Sequence, residues 1–364
     1  MKHLLRLGIG LVVIAAVLVL AVLTNFRRQE KLEHFYTRVV FQRIADRVTQ
    51  GAADPQSSVL RLLDYVHAQV LAPPNDRPVG DIEPLEILAA GRGWCDQGAN
   101  VFAQLARTLP LDVRLVFLRD ERGRSPHSVA EVYFDEGWRV VDPLVGIPIF
   151  DRRGKLVTRH EVAEDPTLLI KAPDVKLLME LGVIHDFKRQ ASWYQNEPTL
   201  FNSWRGKRKG WLDQIPEPVR RMILCVIQDF YFQLPIATRG LSAEERLMKR
   251  AHHYTFLGRT RAAEQIYARL IAQPKDKTIR QDARYFLGCY YAQIGRFDEA
   301  LKIFNLSLQE EPATGWSPYI YLSIGKIYES LKKRDEALEA YQHSGLATTD
   351  TFVAKRMVEL KRNN

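Results

Sequence analysis

The strongest constraint on the fold is an internal repeat in the last third of the chain. An alanine recurs every 37 residues and an aromatic residue follows it four positions later, in the pairs Ala263 and Tyr267, Ala300 and Phe304, and Ala337 and Tyr341. A repeat of this length folds as a helical hairpin that buries its apolar side by stacking on its neighbours, and about three copies are needed for a stable stack. The pattern therefore predicts an all-α array over residues 241–364.

Small residues in the same region also indicate helices that cross closely. Gly288 with Tyr291 and Gly325 with Tyr328 precede the second and third alanine–aromatic pairs. The pattern resembles the tetratricopeptide repeat, whose period is 34 residues, with about three extra residues in each linker. The resemblance implies a surface that binds a protein partner.

The amino terminus predicts a membrane anchor. Residues 7–23 carry no charge, and with residues 24–26 they make about 20 residues, which is enough to cross a bilayer as a helix. A cleaved signal peptide is the alternative, but the segment after Ala21 fits a small-x-small cleavage site poorly. We therefore expect one uncleaved transmembrane helix within residues 1–28.

Charged residues on both sides of this segment bear on its orientation. Arg27 and Arg28 follow it, and basic residues after an anchor favour a cytoplasmic carboxyl-terminal side. A short basic tail before a single anchor, here with Lys2 and Arg6, more usually stays inside, and long domains cross largely regardless of charge. The expectation is a single-pass protein of the cytoplasmic membrane with its soluble domains on the extracytoplasmic side.

Composition argues against several kinds of site. The net charge is +9, with one local concentration at Arg205 and residues 207–209, but no nucleic-acid-binding motif surrounds it and no nucleic-acid partner is expected. Anionic lipid or polysaccharide remains a possible ligand for this basic run.

The three cysteines, Cys95, Cys225 and Cys289, are too few for a disulfide framework and have no zinc-site spacing. The sequence indicates neither a cofactor nor a metal.

Cys95 has a context that suggests chemistry. It follows the glycine-containing entry Gly91–Trp94, and apolar residues then recur with helical spacing as far as Pro110. The pattern therefore places Cys95 in the first turn of a buried helix. The dipole and free amides of a helix amino terminus favour a thiolate, and the same amides can stabilise an oxyanion.

A strand and a β-hairpin are predicted after this helix. Residues 111–118 are typical of a strand, and residues 127–143 alternate as two strands joined near residues 135–137, with His127 opening the first and Asp142 closing the second. A cysteine–histidine pair with a third group orienting the histidine is the usual layout of an activated thiol. If Asp135 pairs with Trp138, His127 and Asp142 share a face but lie about 13 Å apart, and contact would need a wider loop.

The order of these motifs resembles the transglutaminase-like superfamily over roughly residues 55–150. The matching elements are the cysteine at a helix start, then H-x-x-x-E-V-Y from His127, then W-x-x-V-D-P ending after Asp142. The resemblance implies a papain-like core with Cys95 as nucleophile, His127 as acid and base, and Asp142 as orienting group. The chain has Val129 where the family often has an aromatic residue. The motifs assign no second oxyanion donor, and Trp94 is a candidate only by its proximity.

Together these features predict an amino-terminal transmembrane helix (1–28), an α+β papain-like domain (29–150), a mixed helical connector (151–240) and an all-α tetratricopeptide array (241–364). The predicted activity is cysteine-dependent acyl transfer on a protein or peptide substrate. Water as acceptor would make it a peptidase or amidase, and an amine would make it a cross-linking enzyme. The alternative is a non-catalytic membrane scaffold that uses the same fold and repeats to bind proteins.

Overall fold

The computed structural model describes residues 29–71, 83–146, 148–171, 192–204, 216–233, 240–273, 277–310, 312, 315–348 and 351–362. The predicted transmembrane segment and the basic run at 205–209 lie outside these residues. In the part of the chain that is described, no helix is both long enough and apolar enough to cross a bilayer.

The described secondary structure is mainly helical, with one sheet. The first part comprises α1 (Gln29–Val48), α2 (Pro55–Gln69), α3 (Pro84–Ala90), α4 (Cys95–Ala106), β1 (Asp112–Leu118), β2 (His127–Phe134) and β3 (Gly137–Val141). The middle comprises α5 (Arg159–Glu164), α6 (Thr167–Lys171), β4 (Thr199–Trp204) and α7 (Glu217–Tyr231). The last part comprises α8 (Ala243–Phe256), α9 (Thr260–Ala272), α10 (Lys277–Gln293), α11 (Phe297–Glu310), α12 (Ser317–Ser330), α13 (Arg334–Ser344) and α14 (Thr351–Arg362).

The sheet is antiparallel, with strand order β3-β2-β1-β4. Ala130 and Val132 on one face of β2 belong to the same apolar core as the buried side of α4, and Val129 on the other face packs with Val116 and Tyr194. Because successive side chains of β2 point to opposite faces, its apolar residues pack on both sides of the sheet. The helix that carries Cys95 and the strand that begins at His127 are held together by the first of these cores.

Strand β4 lies within the region predicted as a mixed helical connector, residues 151–240. It adds to the sheet by pairing with β1, with a bulge between Arg114 and Leu115. Its six residues mix polar and apolar side chains without a clear alternation, so its strand conformation depends on a partner 82 to 91 residues earlier in the chain rather than on a local pattern.

Helix α1 is a core element. Its sequence predicts an amphipathic helix of the kind found in a stalk, and the helix is present, but Tyr36, Val40, Phe41 and Ile44 are all buried in the core that also contains Phe102 of α4. The apolar residues recur at helical spacing, which explains why one side of α1 is covered by the domain.

The carboxyl-terminal helices form three hairpins, α8–α9, α10–α11 and α12–α13. A β-carbon at Gly288 would lie 2.4 Å from the ring of Phe304, and one at Gly325 would lie 2.5 Å from the ring of Tyr341. Each hairpin after the first therefore closes over a glycine on which the aromatic ring of the partner helix rests. Ala251 holds the equivalent position in the first hairpin, one repeat before Gly288.

Buried polar groups connect the first repeat to the amino-terminal domain. The Tyr36 hydroxyl lies 2.8 Å from Nδ1 of His253, and Nε2 of Gln228 donates to the Tyr36 hydroxyl at 2.9 Å and to the His253 carbonyl at 2.7 Å. Glu86 Oε1 of α3 lies 2.9 Å from Lys249 Nζ and 3.4 Å from His253 Nε2. Helices α1, α3, α7 and α8 thus share one polar junction.

This junction predicts an acid-sensitive contribution to stability. Burial alone would raise the pKa of Glu86, but His253 and Lys249 outweigh it and lower the pKa to about 2 from an ordinary 4.5. A carboxylate with a depressed pKa stabilises the fold above its unfolded pKa, and this stabilisation is lost as the pH falls from about 4.5 toward 2. We expect the wild type to lose about 2 kcal/mol more than Glu86→Gln across that window, an amount reduced because part of the Glu86 side chain contacts solvent.

Urea unfolding of both proteins at a series of pH values between 6 and 2.5 measures this difference. Other carboxylates titrate equally in the two proteins and cancel. If the free energy of unfolding falls by the same amount with pH in both proteins, Glu86 does not make the acid-sensitive contribution assigned to it.

Candidate active site

Cys95 is held by a short, tightly fixed connection between two helices. Helix α3 ends at Gly91, whose φ of 66° caps it in the left-handed conformation. Leu71 donates to the Gly91 carbonyl at 3.1 Å and accepts from the Gly93 amide at 2.9 Å. The Trp94 amide then donates to Oε1 of Gln97 at 2.9 Å, and Cys95 is the first residue of α4. The predicted placement of Cys95 at a helix start is therefore what the structure has.

His127 and Asp142 are in direct contact, with His127 Nε2 donating to Asp142 Oδ2 at 2.6 Å. The hairpin between them is tight, because Asp135 and Glu136 both have positive φ, 48° and 61°, and Phe134 pairs with Gly137. The observed register thus differs from both registers considered from the sequence, the one pairing Asp135 with Trp138 and the one with a wide loop.

The observed register explains how the two residues meet. The last pair of the ladder is Ala130 with Val141, so Asp142 lies one step beyond the strand end and close to the level of Val129. His127 is then only two residues away on the same face, which is the diagonal spacing across which long side chains make contact.

The electrostatics favour a charged histidine between two acidic partners. Burial alone would lower the pKa of His127, but the Asp142 carboxylate and a hydrogen bond with the Cys95 thiol outweigh it and raise the pKa to about 10. His127 thus contacts Asp142 through Nε2 and lies close enough to Cys95 for the thiol to raise its pKa. The three predicted residues therefore come together in one site.

Asp142 is held in place by its own backbone neighbourhood. Its Oδ1 accepts from the amides of Leu144 and Val145, both at 3.1 Å. Burial would raise the pKa of this carboxyl, but His127 and the two amides hold it below its ordinary value. The Asp-Pro sequence thus begins a turn that fixes the carboxylate toward His127.

Two aromatic residues from a later segment cover the histidine and aspartate. The ring centroid of Trp193 lies 6.2 Å from that of His127, and Tyr194 is buried, with its pKa raised by burial and by the charge of Asp142. Asn196 Nδ2 donates to the Arg119 carbonyl at 2.9 Å and so ties this segment to the end of β1. Sequence reasoning missed both aromatics, because they follow Asp142 by about 50 residues and belong to no motif.

A buried ion pair supports the strand that carries His127. Glu131, on the same face of β2 as His127, accepts from Arg114 Nε at 2.5 Å and lies 3.8 Å from Arg159 Nε. Arg114 also lies over the ring of Trp138, 4.1 Å from its centroid. These contacts join β1, β2, β3 and α5 behind the site, so the glutamate of the H-x-x-x-E pattern has a structural role.

The neighbourhood of the thiol is partly open. Cys95 is half-buried, and Trp94 at the start of α4 is 50% exposed. Among the described residues, no three or more histidine, cysteine, aspartate or glutamate side chains come together as a metal-binding group. The arrangement can therefore present a thiol to an approaching acyl group beside an exposed indole.

Comparison with known families agrees with this geometry. The model of the transglutaminase-like superfamily matches residues 42–143, a range that includes all three site residues. The model of the tetratricopeptide repeat matches residues 281–314 and 318–344, which are the second and third hairpins. No curated protein and no solved structure shows significant similarity to the chain. Both resemblances predicted from the sequence are confirmed: the chain contains a transglutaminase-like domain followed by tetratricopeptide repeats.

Proposed function

We propose that this protein is a membrane-anchored enzyme that transfers acyl groups through Cys95. The observation that carries the proposal is the position of His127, which bonds to Asp142 at 2.6 Å and lies close enough to Cys95 for the thiol to raise its pKa. A thiol paired with an imidazolium is a reactive nucleophile at neutral pH, and a third group that fixes the ring completes the arrangement.

The reaction would proceed in two stages. The Cys95 thiolate attacks an amide carbonyl carbon, and the carbonyl oxygen gains negative charge near the free amides at the start of α4. His127 gives its proton to the departing amine as the carbon–nitrogen bond breaks, which leaves a thioester on Cys95. Water or a second amine then attacks the thioester and returns a proton to His127, and the acyl group leaves as an acid or as a new amide.

A protein or peptide substrate suits the surroundings of the site. Cys95 lies beside the half-exposed Trp94, so a chain could approach along the surface without entering a closed pocket. The apolar segment at residues 7–26 would hold the enzyme on the cytoplasmic membrane, with the soluble part on the extracytoplasmic side. The tetratricopeptide repeats would contribute a protein-binding surface.

Alkylation of the full-length protein in detergent micelles tests the thiol directly. Iodoacetamide would be applied between pH 5 and pH 9, and modification at each cysteine followed by mass spectrometry. We expect Cys95 to react at least about tenfold faster than Cys289 at pH 6, because only the thiolate reacts readily. Cys289 is an internal control, since burial raises its pKa to about 11.

Equal rates at Cys95 and Cys289 would remove the enzyme proposal and favour the membrane scaffold. If Cys95 is fast, incubation with glutamine-containing peptides, with and without a fluorescent primary amine, distinguishes the acceptors. A labelled peptide indicates cross-linking, and a free acid without label indicates hydrolysis.

A further inference from the structure

The connection that leads into Cys95 is held by the repeats as well as by its own domain. A β-carbon at Gly91 would lie 3.3 Å from the ring of Phe286 in α10. The guanidinium of Arg92 lies over the ring of Trp316, 5.6 Å from its centroid. Leu71, which pairs with Arg92 in an isolated β-bridge, is buried in the apolar core of the repeats.

The surface that receives this connection is tightly packed. Trp316 is fully buried and stacks on Tyr285 with ring centroids 4.0 Å apart, while Phe286 meets it edge-on at 5.5 Å. The Trp316 indole also donates to Oδ1 of Asp282 at 2.6 Å. Residues from the second repeat and from the start of the third thus form one aromatic platform, which we define as Tyr285, Phe286 and Trp316.

The segment between this platform and the thiol is short and tightly packed. Arg92 precedes Cys95 by three residues, and Gly93 between them has no room to move, because a β-carbon there would lie 3.1 Å from the side chains of Ile87, Val70 and Gln97. The Gly91 carbonyl and the Gly93 amide, on either side of Arg92, both bond to the backbone of Leu71, and the Trp94 amide donates to the Gln97 side chain. A shift of Arg92 would therefore be passed on to the first turn of α4.

We propose that the repeats position the nucleophile: Arg92 and the aromatic platform act as positioning residues that set the place of Cys95 relative to His127. The array is then part of the catalytic unit and not only a recruiting surface. This inference rests on the proposed thiol chemistry.

The test compares two arginine substitutions in the full-length protein. Arg92→Ala removes the contact between the connection and Trp316. Arg296→Ala is the matched control, because Arg296 also lies over an aromatic ring, 4.3 Å from the centroid of Tyr291, and pairs with Glu264 within the repeats. We expect Arg92→Ala to slow Cys95 alkylation at pH 6 by about tenfold and to shift the pH dependence of the rate to higher pH. A displacement of Cys95 by about 1 Å relative to His127 can cost that much or more. Arg296→Ala should leave the rate unchanged, and Arg92→Lys, which keeps the cation over the ring, should restore much of it.

Hydrogen–deuterium exchange gives a readout that does not depend on thiol reactivity. The amides of residues 93–98 should exchange faster in Arg92→Ala than in the wild type, with no change in Arg296→Ala. An unchanged alkylation rate and unchanged exchange in Arg92→Ala would overturn the positioning role, as would equal slowing in both variants. A wild type whose Cys95 is slow would instead defeat the proposed function, and exchange alone would then decide whether the repeats fix this connection.

Discussion

Replacing Asp142 with asparagine should slow alkylation of Cys95 at pH 6 by about two orders of magnitude. The carboxylate raises the pKa of His127, and without it the imidazolium that stabilises a thiolate is lost near neutral pH. An isolated cysteine with a pKa near 8.5 is only about 0.3% thiolate at pH 6, so loss of the pair lowers the reactive fraction by roughly 10²-fold. The rate constant from mass spectrometry at a series of pH values measures the effect.

Asp151→Asn is a suitable control for this experiment. Asp151 also accepts two backbone amides in a turn, those of Arg153 and Lys155, but no histidine in the described part of the chain bonds to it. It should therefore leave the Cys95 rate unchanged. A similar rate in Asp142→Asn and the wild type would show that the carboxylate does not support the thiol.

The same pair makes a stability prediction with a defined sign. A histidine whose pKa is raised to about 10 stabilises the fold fully below its unfolded pKa of about 6.5, and the stabilisation is lost as the pH rises through about 10. The free energy of unfolding of the wild type, measured with denaturant, should therefore fall between pH 7 and pH 10. Asp142→Asn should be less stable at pH 7 and show a flatter dependence over that window.

The second large effect concerns the repeats: Gly325→Ala should destabilise the protein by about 3 kcal/mol. The added β-carbon would lie 2.5 Å from the buried ring of Tyr341, which is packed and cannot move aside without shifting its helix. Gly98→Ala makes the same change in a helix with open space, because among the described residues no atom beyond the adjoining residues and the helix's own backbone lies within 4 Å of the new β-carbon. It should stabilise the protein by about 0.5–1 kcal/mol through higher helix propensity.

Urea unfolding monitored by circular dichroism measures both substitutions. A double variant, Gly325→Ala with Tyr341→Leu, should be more stable than the sum of the single effects predicts, because the leucine leaves room for the new methyl group. If Gly325→Ala and Gly98→Ala changed the free energy of unfolding in the same direction, Gly325 would not set the spacing of its helix pair.

These expectations reflect what could and could not be predicted from the sequence. Gly325 and Tyr341 belong to a pattern that recurs along the chain, and each hairpin depends on contacts close in sequence, so the array could be predicted. The start of α4 at Cys95 could likewise be predicted from a local pattern, because the helical spacing of apolar residues begins there. These features need no knowledge of distant contacts.

The contact of His127 with Asp142 depended on details that the sequence does not specify. Asp135 and Glu136 adopt positive φ without the glycine or asparagine that usually marks such a turn, so the register could not be predicted. Trp193 and strand β4 reach the sheet from far along the chain, and their positions follow from pairing with β1 and not from a local motif.

The polar junction has a consequence for synthesis of the protein. Tyr36 and His253 are separated by 217 positions, yet each completes the buried surroundings of the other. A ribosome that has released α1 through β4 has therefore made a domain whose core still lacks α7 and α8. Contacts of such long sequence separation form slowly, and a nascent domain that waits for them exposes apolar surface. The core of the amino-terminal domain would thus be completed only after α8 has left the ribosome, so that messages truncated before residue 253 should yield chains that aggregate or are degraded.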